Sequence, residues 1–274
     1  MEAAAVVAPR DLADHLLAHG RGSVALSEVA GLLGTDEKQA ASALVRLRRV
    51  GRIFSPFPGL YFPVPPEYRT WGALPAMDFI DPMMRAAGRA YYAALLSAAE
   101  LHGAAHQRPQ VFQVMVDRRL QDRDFGRVRV RFYQASGVAQ RRTVLLNSAT
   151  GQVRVSAPEV TALDLAANLE AGGGLGNVAT VLAELAEDGT LDIDRMATDA
   201  AGYPIAVVRR AGWLLDTIAR QEGLDLDSEA LLAVVHAQTD ASRSGTLAVP
   251  SGARRGHTDA RWGVVENAPV EIDL

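Results

Sequence analysis

Prolines are concentrated in one short stretch of the chain. Seven of the 13 prolines lie between residues 55 and 84 of the 274. Proline lacks a backbone N–H and fixes φ, and such a proline-rich stretch is typical of a connector between domains. We therefore place a domain boundary near residue 66, with residues 1–66 as one domain and residues 67–274 as the other.

The first domain has the pattern of three short helices and a hairpin. Apolar residues at helical spacing, with glycines as stops, predict helices at about residues 11–19, 26–33 and 36–50. Thr35 is expected to cap the third helix. Short apolar runs predict hairpin strands at residues 52–54 and 60–62. Three helices followed by a hairpin is the element order of a winged helix-turn-helix.

The second domain mixes helical and strand patterns. The predicted fold class is therefore α+β: an N-terminal winged helix-turn-helix followed by a larger mixed α/β domain. Asp81 and Pro82 are a typical helix start, and this helix is expected to run to Gly103 with a break at Gly88. Further along, Ser156 and Glu159 have the spacing of a capping box, which predicts the start of another helix.

The remaining elements follow from periodicity. Alternation predicts strands at about residues 111–116, 128–132, 144–146 and 153–155. Helical spacing predicts helices at about residues 177–187, 204–219 and 228–238. From about residue 246 the chain is expected to form strand and loop.

The third predicted helix has one apolar and one polar face. The apolar face carries Ala40, Ala43, Leu44, Leu47 and Val50, and between Lys38 and Arg52 there are five basic residues and no acidic one. Guanidinium, amide and hydroxyl groups contact base edges and phosphates in the major groove. The alternative is a solvated basic face on an ordinary bundle helix. We predict duplex-DNA binding through Lys38, Gln39, Ser42, Arg46, Arg49 and Arg52.

A second group of basic residues follows in the larger domain. Alternation predicts that Arg127, Arg129 and Arg131 share one strand face. The sequence leaves two roles open for the group, a polar sheet face or a contact for RNA, DNA or an acidic partner. Its members are Arg118, Arg119, Arg123, Arg127, Arg129, Arg131, Arg141 and Arg142.

The charge is unevenly divided along the chain. Residues 1–142 contain 19 Lys/Arg and 13 Asp/Glu, whereas residues 143–274 contain 9 and 19. The asymmetry favours a polyanion-facing first half and a second half that repels nucleic acid.

Several kinds of catalytic site lack the residues they need. The chain has no cysteine, and Lys38 is its only lysine, so thiol catalysis and a P-loop lysine elsewhere are excluded. The run Gly174–Ala179 matches a dinucleotide fingerprint, but a predicted helix rather than a strand precedes it. His102 and His106 have metal-ligand spacing, but Gly103 interrupts the helix between them. We therefore predict no enzymatic activity, no cofactor and no metal.

Nothing in the sequence predicts a membrane association. No uncharged apolar stretch reaches the roughly 18 residues that span a bilayer. The N-terminus also lacks the basic start and long apolar run of a signal peptide. We expect a soluble, cytoplasmic protein.

Segments of the second domain resemble the AbiEi-type antitoxin domain. Arg89–Gly103 is similar to the opening of that domain, and Val155–Leu165 is similar to its central motif. Gly172–Leu175, Arg261-Trp262 and Asn267 resemble its later landmarks. No single motif is highly specific, but the order of the motifs is, and with the winged helix in front the resemblance covers nearly the whole chain.

The resemblance implies an antitoxin of a type IV toxin–antitoxin (abortive infection) pair. Such antitoxins repress their own operon by binding inverted repeats in the promoter through the N-terminal domain. The larger domain is needed to counteract a nucleotidyltransferase-like toxin encoded next to it, without requiring a stable complex. The resemblance implies no catalytic residues. The DNA-contacting positions come from helical spacing alone.

Two other classes of function compete with the antitoxin. The first is a stand-alone winged-helix transcriptional regulator whose second domain senses a small ligand. The second is an enzyme tethered to DNA, against which the missing lysines and metal ligands argue. A toxin-like reading frame directly downstream would favour the antitoxin, and an isolated gene would favour the regulator.

Overall fold

The computed structural model describes residues 6–104, 109–238 and 245–273. Helices and strands are interspersed along these residues, which confirms the α+β class. The boundary near residue 66 stays a prediction. By packing, the chain forms two compact units. The first unit contains Met1–Tyr91, Val116–Ala135 and Leu145–Arg154, and the second contains Tyr92–Met115, Ser136–Val144 and Val155–Leu274.

The first unit opens with three helices and a small sheet. In chain order the elements are α1 (Leu12–Ala18), β1 (Val24–Ala25), α2 (Leu26–Leu33), α3 (Glu37–Arg49), β2 (Ile53–Phe57) and β3 (Leu60–Pro63). The strands pair antiparallel in the order β1-β3-β2, with Val24 opposite Tyr61 and Phe54 opposite Phe62. Leu12 and Leu16 pack with apolar residues of α2 and α3 in one core. The three helices and the hairpin lie where the apolar spacing predicts them.

Helix α4 (Ala76–Ala86) does not begin at Asp81-Pro82, so the predicted helix start is wrong. Pro82 lies inside the helix, and Pro75 precedes its first residue. An internal proline leaves the carbonyl four residues earlier, that of Asp78, without its helical donor. The hydroxyl of Thr150 donates to that carbonyl oxygen instead. A contact that is distant in sequence therefore accommodates this proline.

The helix predicted to continue to Gly103 is also wrong in part. Tyr91–Ala93 form strand β4, and only Leu95–Leu101 form a helix, α5. All three residues of β4 are buried. A strand buried on both faces shows no polar alternation, so periodicity cannot separate it from a buried helix.

A six-stranded sheet has the order β6-β7-β5-β4-β9-β8. Strand β4 runs parallel to β9, with Ala93 opposite Val155, and β6 pairs antiparallel with β7. The strands predicted from alternation are all present. They are β5 (Phe112–Val116), β7 (Arg129–Gln134), β8 (Thr143–Ser148) and β9 (Gly151–Ser156), and β6 (Arg123–Asp124) is an additional strand that was not predicted.

Five helices and a small sheet follow in the second unit. The helices are α6 (Pro158–Ala167), α7 (Leu175–Glu187), α8 (Ile193–Ala200), α9 (Ile205–Glu222) and α10 (Glu229–Gln238). The sheet has the order β10-β12-β11, with strands β10 (Thr246–Leu247), β11 (His257–Asp259) and β12 (Val264–Glu266). Sequence analysis missed α8. In the part of the chain that the structure describes, no helix could cross a membrane.

The predicted capping box of α6 is wrong. Ala157 is the N-cap residue, Pro158 follows it, and no side chain caps the helix. The hydroxyl of Ser156 lies 2.6 Å from that of Thr161. Glu159 binds Arg142 at 2.7 Å instead of reaching back to the backbone. The carboxylate of Glu159 therefore forms an ion pair with Arg142 and does not cap the helix.

Candidate nucleic-acid interface

Helix α3 is capped by Asp36, not by Thr35 as predicted. The Asp36 carboxylate accepts a hydrogen bond of 2.7 Å from the backbone N–H of Gln39. Aspartate is a good N-cap because its oxygen satisfies an otherwise unpaired donor, and its charge suits the helix dipole.

One stripe of α3 packs into the core of the first unit. Ala40, Ala43, Leu44 and Leu47 are buried there, as the apolar spacing predicts. Val50 is the exception, because it is 65% exposed and its assignment to the buried face is wrong. The helix ends at Arg49, so the chain at Val50 has already left the helical path.

The opposite face of α3 is exposed and carries cations without acidic partners. Lys38, Gln39, Ser42, Arg46 and Arg49 are all exposed. Arg48 is exposed as well. The predicted DNA contacts do not include Arg48, although Arg48 lies outside the apolar stripe of the helix. Within the described ranges, none of the four cations of α3 forms a salt bridge, whereas Arg21, Arg52, Arg69 and Arg85 of the same unit do.

Two of the predicted DNA-contacting residues have internal contacts. The hydroxyl of Ser42 donates to the carbonyl oxygen of Lys38 at 2.9 Å, which leaves its oxygen as an acceptor. Arg52 lies away from the exposed face. Its guanidinium binds the carboxylate of Asp14 and the carbonyl oxygen of Arg10, the latter at 2.9 Å. Of the six predicted residues, all except Arg52 lie on α3.

A groove of about 420 Å³ runs beside α3 on the side of β2. Its lining includes Val45, Arg48 and Arg49 of α3 together with Phe54 and Phe125. Phe125 comes from the turn between β6 and β7, and its ring meets that of Phe54 edge to face with centroids 4.9 Å apart. This aromatic contact places the β6–β7 turn beside two cations of α3, within one compact unit.

The second basic group is divided between the two units. Six of its eight members are in the first unit, where Arg127, Arg129 and Arg131 are exposed and Val128 and Val130 are buried, which confirms their shared face. Arg131 pairs with Asp122 at 3.5 Å. In the described part of the chain, no salt bridge involves the exposed residues Arg118, Arg119, Arg127 and Arg129.

The other two members, Arg141 and Arg142, form contacts within the second unit. Arg142 binds Glu159 and Asp199, each at 2.7 Å. The guanidinium of Arg141 lies 3.6 Å from the centre of the Tyr203 ring and donates to the carbonyl of Gly202 at 2.6 Å. Both are therefore structural in this unit, and the predicted group of eight is not one surface.

The central motif of the second unit contains a buried carboxyl group. Asp164 accepts hydrogen bonds from the hydroxyls of Tyr203, at 2.8 Å, and Tyr92, at 3.0 Å. Burial raises the pKa of Asp164 to about 6, and the two hydroxyl bonds and the charge of Arg141 lower it only in part. Burial also raises the pKa of both tyrosines, so they remain neutral donors.

The two C-terminal landmarks also have packing roles. The indole of Trp262 lies so close to Gly212 of α9 that a Cβ at that position would come within 2.2 Å of its ring. Its Nε1–H donates to Asp216 at 2.7 Å. The amide of Asn267 both donates to and accepts from the backbone of Val249. These residues hold the terminal strands against α9.

The glycine-rich run at Gly174 and the histidine His102 lie in surroundings that differ from those of a dinucleotide site or a metal site. Gly174 immediately precedes α7, and helix α6 with a turn comes before it, in place of the strand that a dinucleotide site requires. His102 Nε2 lies 2.7 Å from the carbonyl oxygen of Ser156. His106 lies outside the described residues. Over residues 6–104, 109–238 and 245–273, no group of three potential metal ligands occurs.

Comparison with known families identifies the second part of the chain. Residues 92–217 match the family described as the AbiEi antitoxin C-terminal domain. Over this segment the chain is similar to that domain. The AbiEi match includes the central motif with Asp164, so the resemblance to this family is confirmed, and it indicates a role as an antitoxin. Helix α3 lies outside the matched residues.

A solved structure shares the fold over nearly the whole chain. It is the crystal structure of the Rv2827c protein from Mycobacterium tuberculosis, with a TM-score of 0.68 and 16% identity over 95% of this chain and 92% of that one. At this identity the likeness concerns the fold alone. A search of curated protein sequences gives no match.

Proposed function

We propose that this protein is the antitoxin of a type IV toxin–antitoxin system, counteracts a nucleotidyltransferase-like toxin, and represses its own operon by binding promoter DNA. The AbiEi domain supports the antitoxin role. The exposed cations of α3 that lack acidic partners carry the DNA-binding part of the proposal. In this proposal the chain acts by binding, and no residue of it is assigned a catalytic role.

The exposed face of α3 suits the major groove of duplex DNA. An α-helix fits that groove, where arginine recognises guanine, glutamine recognises adenine, and lysine or arginine binds phosphates. Gln39, Arg46 and Arg49 supply these groups on one face, next to Lys38. Since α3 follows a helix and a turn and precedes the β2–β3 hairpin, it holds the position of the recognition helix of a winged helix-turn-helix.

The β6–β7 segment supports a wider contact with DNA. Phe125 holds its turn beside α3, and its exposed arginines share the first unit with the cations of α3. We assign to Arg127 and Arg129 contacts with phosphates that flank the site bound by α3. This favours the nucleic-acid role over the plain polar sheet face for this half of the second basic group.

A mobility-shift titration with the region upstream of the gene tests DNA binding. The Arg46→Ala/Arg49→Ala variant should bind that fragment more weakly, at about 1–3 kcal/mol for each lost base contact. The Arg127→Ala/Arg129→Ala variant should weaken binding to all sequences alike. It should also reduce the salt dependence by about 0.9 in the log–log slope for each lost phosphate contact.

A charge-matched variant provides the control. Arg21→Ala/Arg85→Ala removes two cations of the same unit that pair with Glu28 and Asp81 and lie off α3. It should bind DNA like wild type. If the α3 variant also binds like wild type, α3 is not the recognition helix.

Co-expression with the toxin encoded beside the gene tests the antitoxin part. The full chain should restore growth, and the Arg46→Ala/Arg49→Ala variant should restore it too while failing to repress a promoter reporter. An isolated gene without a toxin-like neighbour would instead favour the ligand-sensing regulator.

A further inference from the structure

The second unit contains a buried arginine with no partner. Arg209 of α9 is only 9% exposed, and its Nε is buried without an acceptor. In the part of the chain that the structure describes, no hydrogen bond or salt bridge involves its guanidinium. A buried N–H without an acceptor loses its hydration with nothing in return. A ligand that accepts a hydrogen bond from this N–H would replace that hydration.

The next residue, Arg210, is by contrast hydrogen-bonded to backbone carbonyls. The guanidinium of Arg210 donates to the backbone carbonyls of Ala166, at 2.7 Å, Ala248, at 3.0 Å, and Leu247, at 3.1 and 3.2 Å. Arg210 therefore occupies the local acceptors. Arg209 faces the turn at Gly263 instead, with its Cζ 4.0 Å from the place a Cβ would take there.

Arg209 lines a pocket of about 280 Å³ at the start of α9. Among the residues that the structure describes, the lining contains three arginines and no acidic residue, although residues 143–274 have 19 acidic against 9 basic residues. Its members are Ile205, Ala206, Arg209, Arg210, Gly245, Thr246, Leu247, Pro250 and Arg254. Positive charge is therefore gathered in one pocket of an otherwise acidic segment.

The first turn of α9 adds backbone donors to this pocket. The first N–H groups of a helix have no acceptor within the helix, and Pro204 at the N-cap provides no side-chain cap. Ile205 and Ala206, the first two residues of α9, line the pocket. Arg209 follows Ile205 by about one helical turn, and its side chain lines the same pocket as these two residues.

We propose that this pocket of the second unit binds the phosphate group of a small phosphorylated molecule, or free phosphate, between the guanidiniums of Arg209 and Arg254 and the first amides of α9. Arginine binds phosphate oxygens in pairs through its planar fork. A helix N-terminus adds donors and a favourable dipole for the same anion. The pocket is near the lower size limit of small-molecule sites, about 300 Å³. The site is independent of DNA binding by α3.

Two-dimensional NMR titrations of the full chain test the site, with inorganic phosphate and adenosine monophosphate as probes and sodium chloride at equal ionic strength as the reference. The backbone amides of Ile205 and Ala206 and the Nε–H of Arg209 should shift saturably with phosphate and not with chloride. Tighter binding of adenosine monophosphate identifies a phosphorylated molecule as the better ligand, and equal binding identifies phosphate itself. Either result supports the site.

Three variants locate the binding. Arg209→Met should weaken the affinity for phosphate at least about tenfold, since charge-assisted hydrogen bonds are lost. Arg254→Gln should weaken it severalfold, and because Arg254 is exposed this change leaves the core intact. Arg255→Gln, the matched control, removes the same charge from the next residue, which does not line the pocket, and should bind like wild type.

Two results would overturn the proposal. One is the lack of any saturable shift at Ile205 and Ala206 up to about 10 mM of either probe, a concentration well above the Kd of a weak small-molecule ligand. The other is equal affinity for phosphate in wild type, Arg209→Met and Arg254→Gln, which would place the anion elsewhere on the surface.

Discussion

The buried carboxyl group of Asp164 should make the stability of the protein depend on pH in an unusual direction. Most carboxylates stabilise a fold in their charged form. Asp164 has a raised pKa because burial outweighs the hydrogen bonds from Tyr203 and Tyr92. Replacing it by asparagine, which has nearly the same shape and does not titrate, isolates the effect of the charge.

The size of the effect follows from the two pKa values. Asp164 has a pKa of about 6 in the folded chain and 3.8 as the reference value. At 1.36 kcal/mol for each pKa unit, charging this group costs the fold about 3 kcal/mol. Because the folded pKa is the higher one, the stabilisation is fully present below about pH 4 and is lost as the pH rises through about 6. Between pH 8 and pH 4.5 the change is about 2 kcal/mol.

Urea unfolding of wild type and Asp164→Asn at a series of pH values measures this directly. The difference between their unfolding free energies should move by about 2 kcal/mol in favour of wild type as the pH falls from 8 to 4.5. Tyr203→Phe removes a bond to the charged form, so its transition should lie at higher pH. Asp188→Asn, at an exposed residue, is the control. A difference between wild type and Asp164→Asn that stays constant across this range would refute the reasoning.

Two further predictions concern α4 and the domains. Thr150→Val leaves the carbonyl of Asp78 without a hydrogen-bond donor and should lower the free energy of unfolding by about 1–3 kcal/mol. The control Thr198→Val, at an exposed helical position, should change it far less. Equal effects of the two substitutions would show that the hydrogen bond from Thr150 does not stabilise the fold. Residues 67–274 alone should protect cells against the toxin but should not repress the promoter. Residues 1–66 alone should bind DNA weakly and should not protect. Growth rescue by residues 1–66 alone would contradict this division of roles.

Local signals predicted the first three helices and the exposed face of α3 well. Each of these helices is short, amphipathic and followed by a glycine or a turn, so that its pattern depends on nearby residues alone. The exposed residues from Lys38 to Arg49 could therefore be placed by periodicity. Val50 was misplaced because the helix ends one residue before it.

The errors share a different origin. The pattern at Asp81-Pro82 predicts a helix start, but Pro82 lies inside α4, where its accommodation depends on Thr150, far away in the sequence. The spacing of Ser156 and Glu159 predicts a capping box, but the carboxylate of Glu159 binds Arg142, which lies outside the helix. Nothing in the sequence near Arg209 indicates that its Nε–H is buried without an acceptor. Contacts between residues far apart in the sequence, and the lack of such contacts, cannot be predicted from local spacing.

Arginines without a partner occur in both units, but they are exposed on α3 and buried at Arg209, and this difference changes what can be inferred from them. An exposed unpaired cation, such as Arg46 or Arg49, is solvated by water and costs little, so a ligand is inferred from the helix face and its place in the fold. Arg209 is largely buried, and its Nε–H has no acceptor, so part of its hydration is lost without replacement. If phosphate fills the pocket, Arg209→Met should leave the empty protein at least as stable as wild type, and added phosphate should stabilise wild type more than the variant. Thermal unfolding with and without phosphate separates these cases, and a parallel gain in both proteins would mean that the added stability does not come from Arg209.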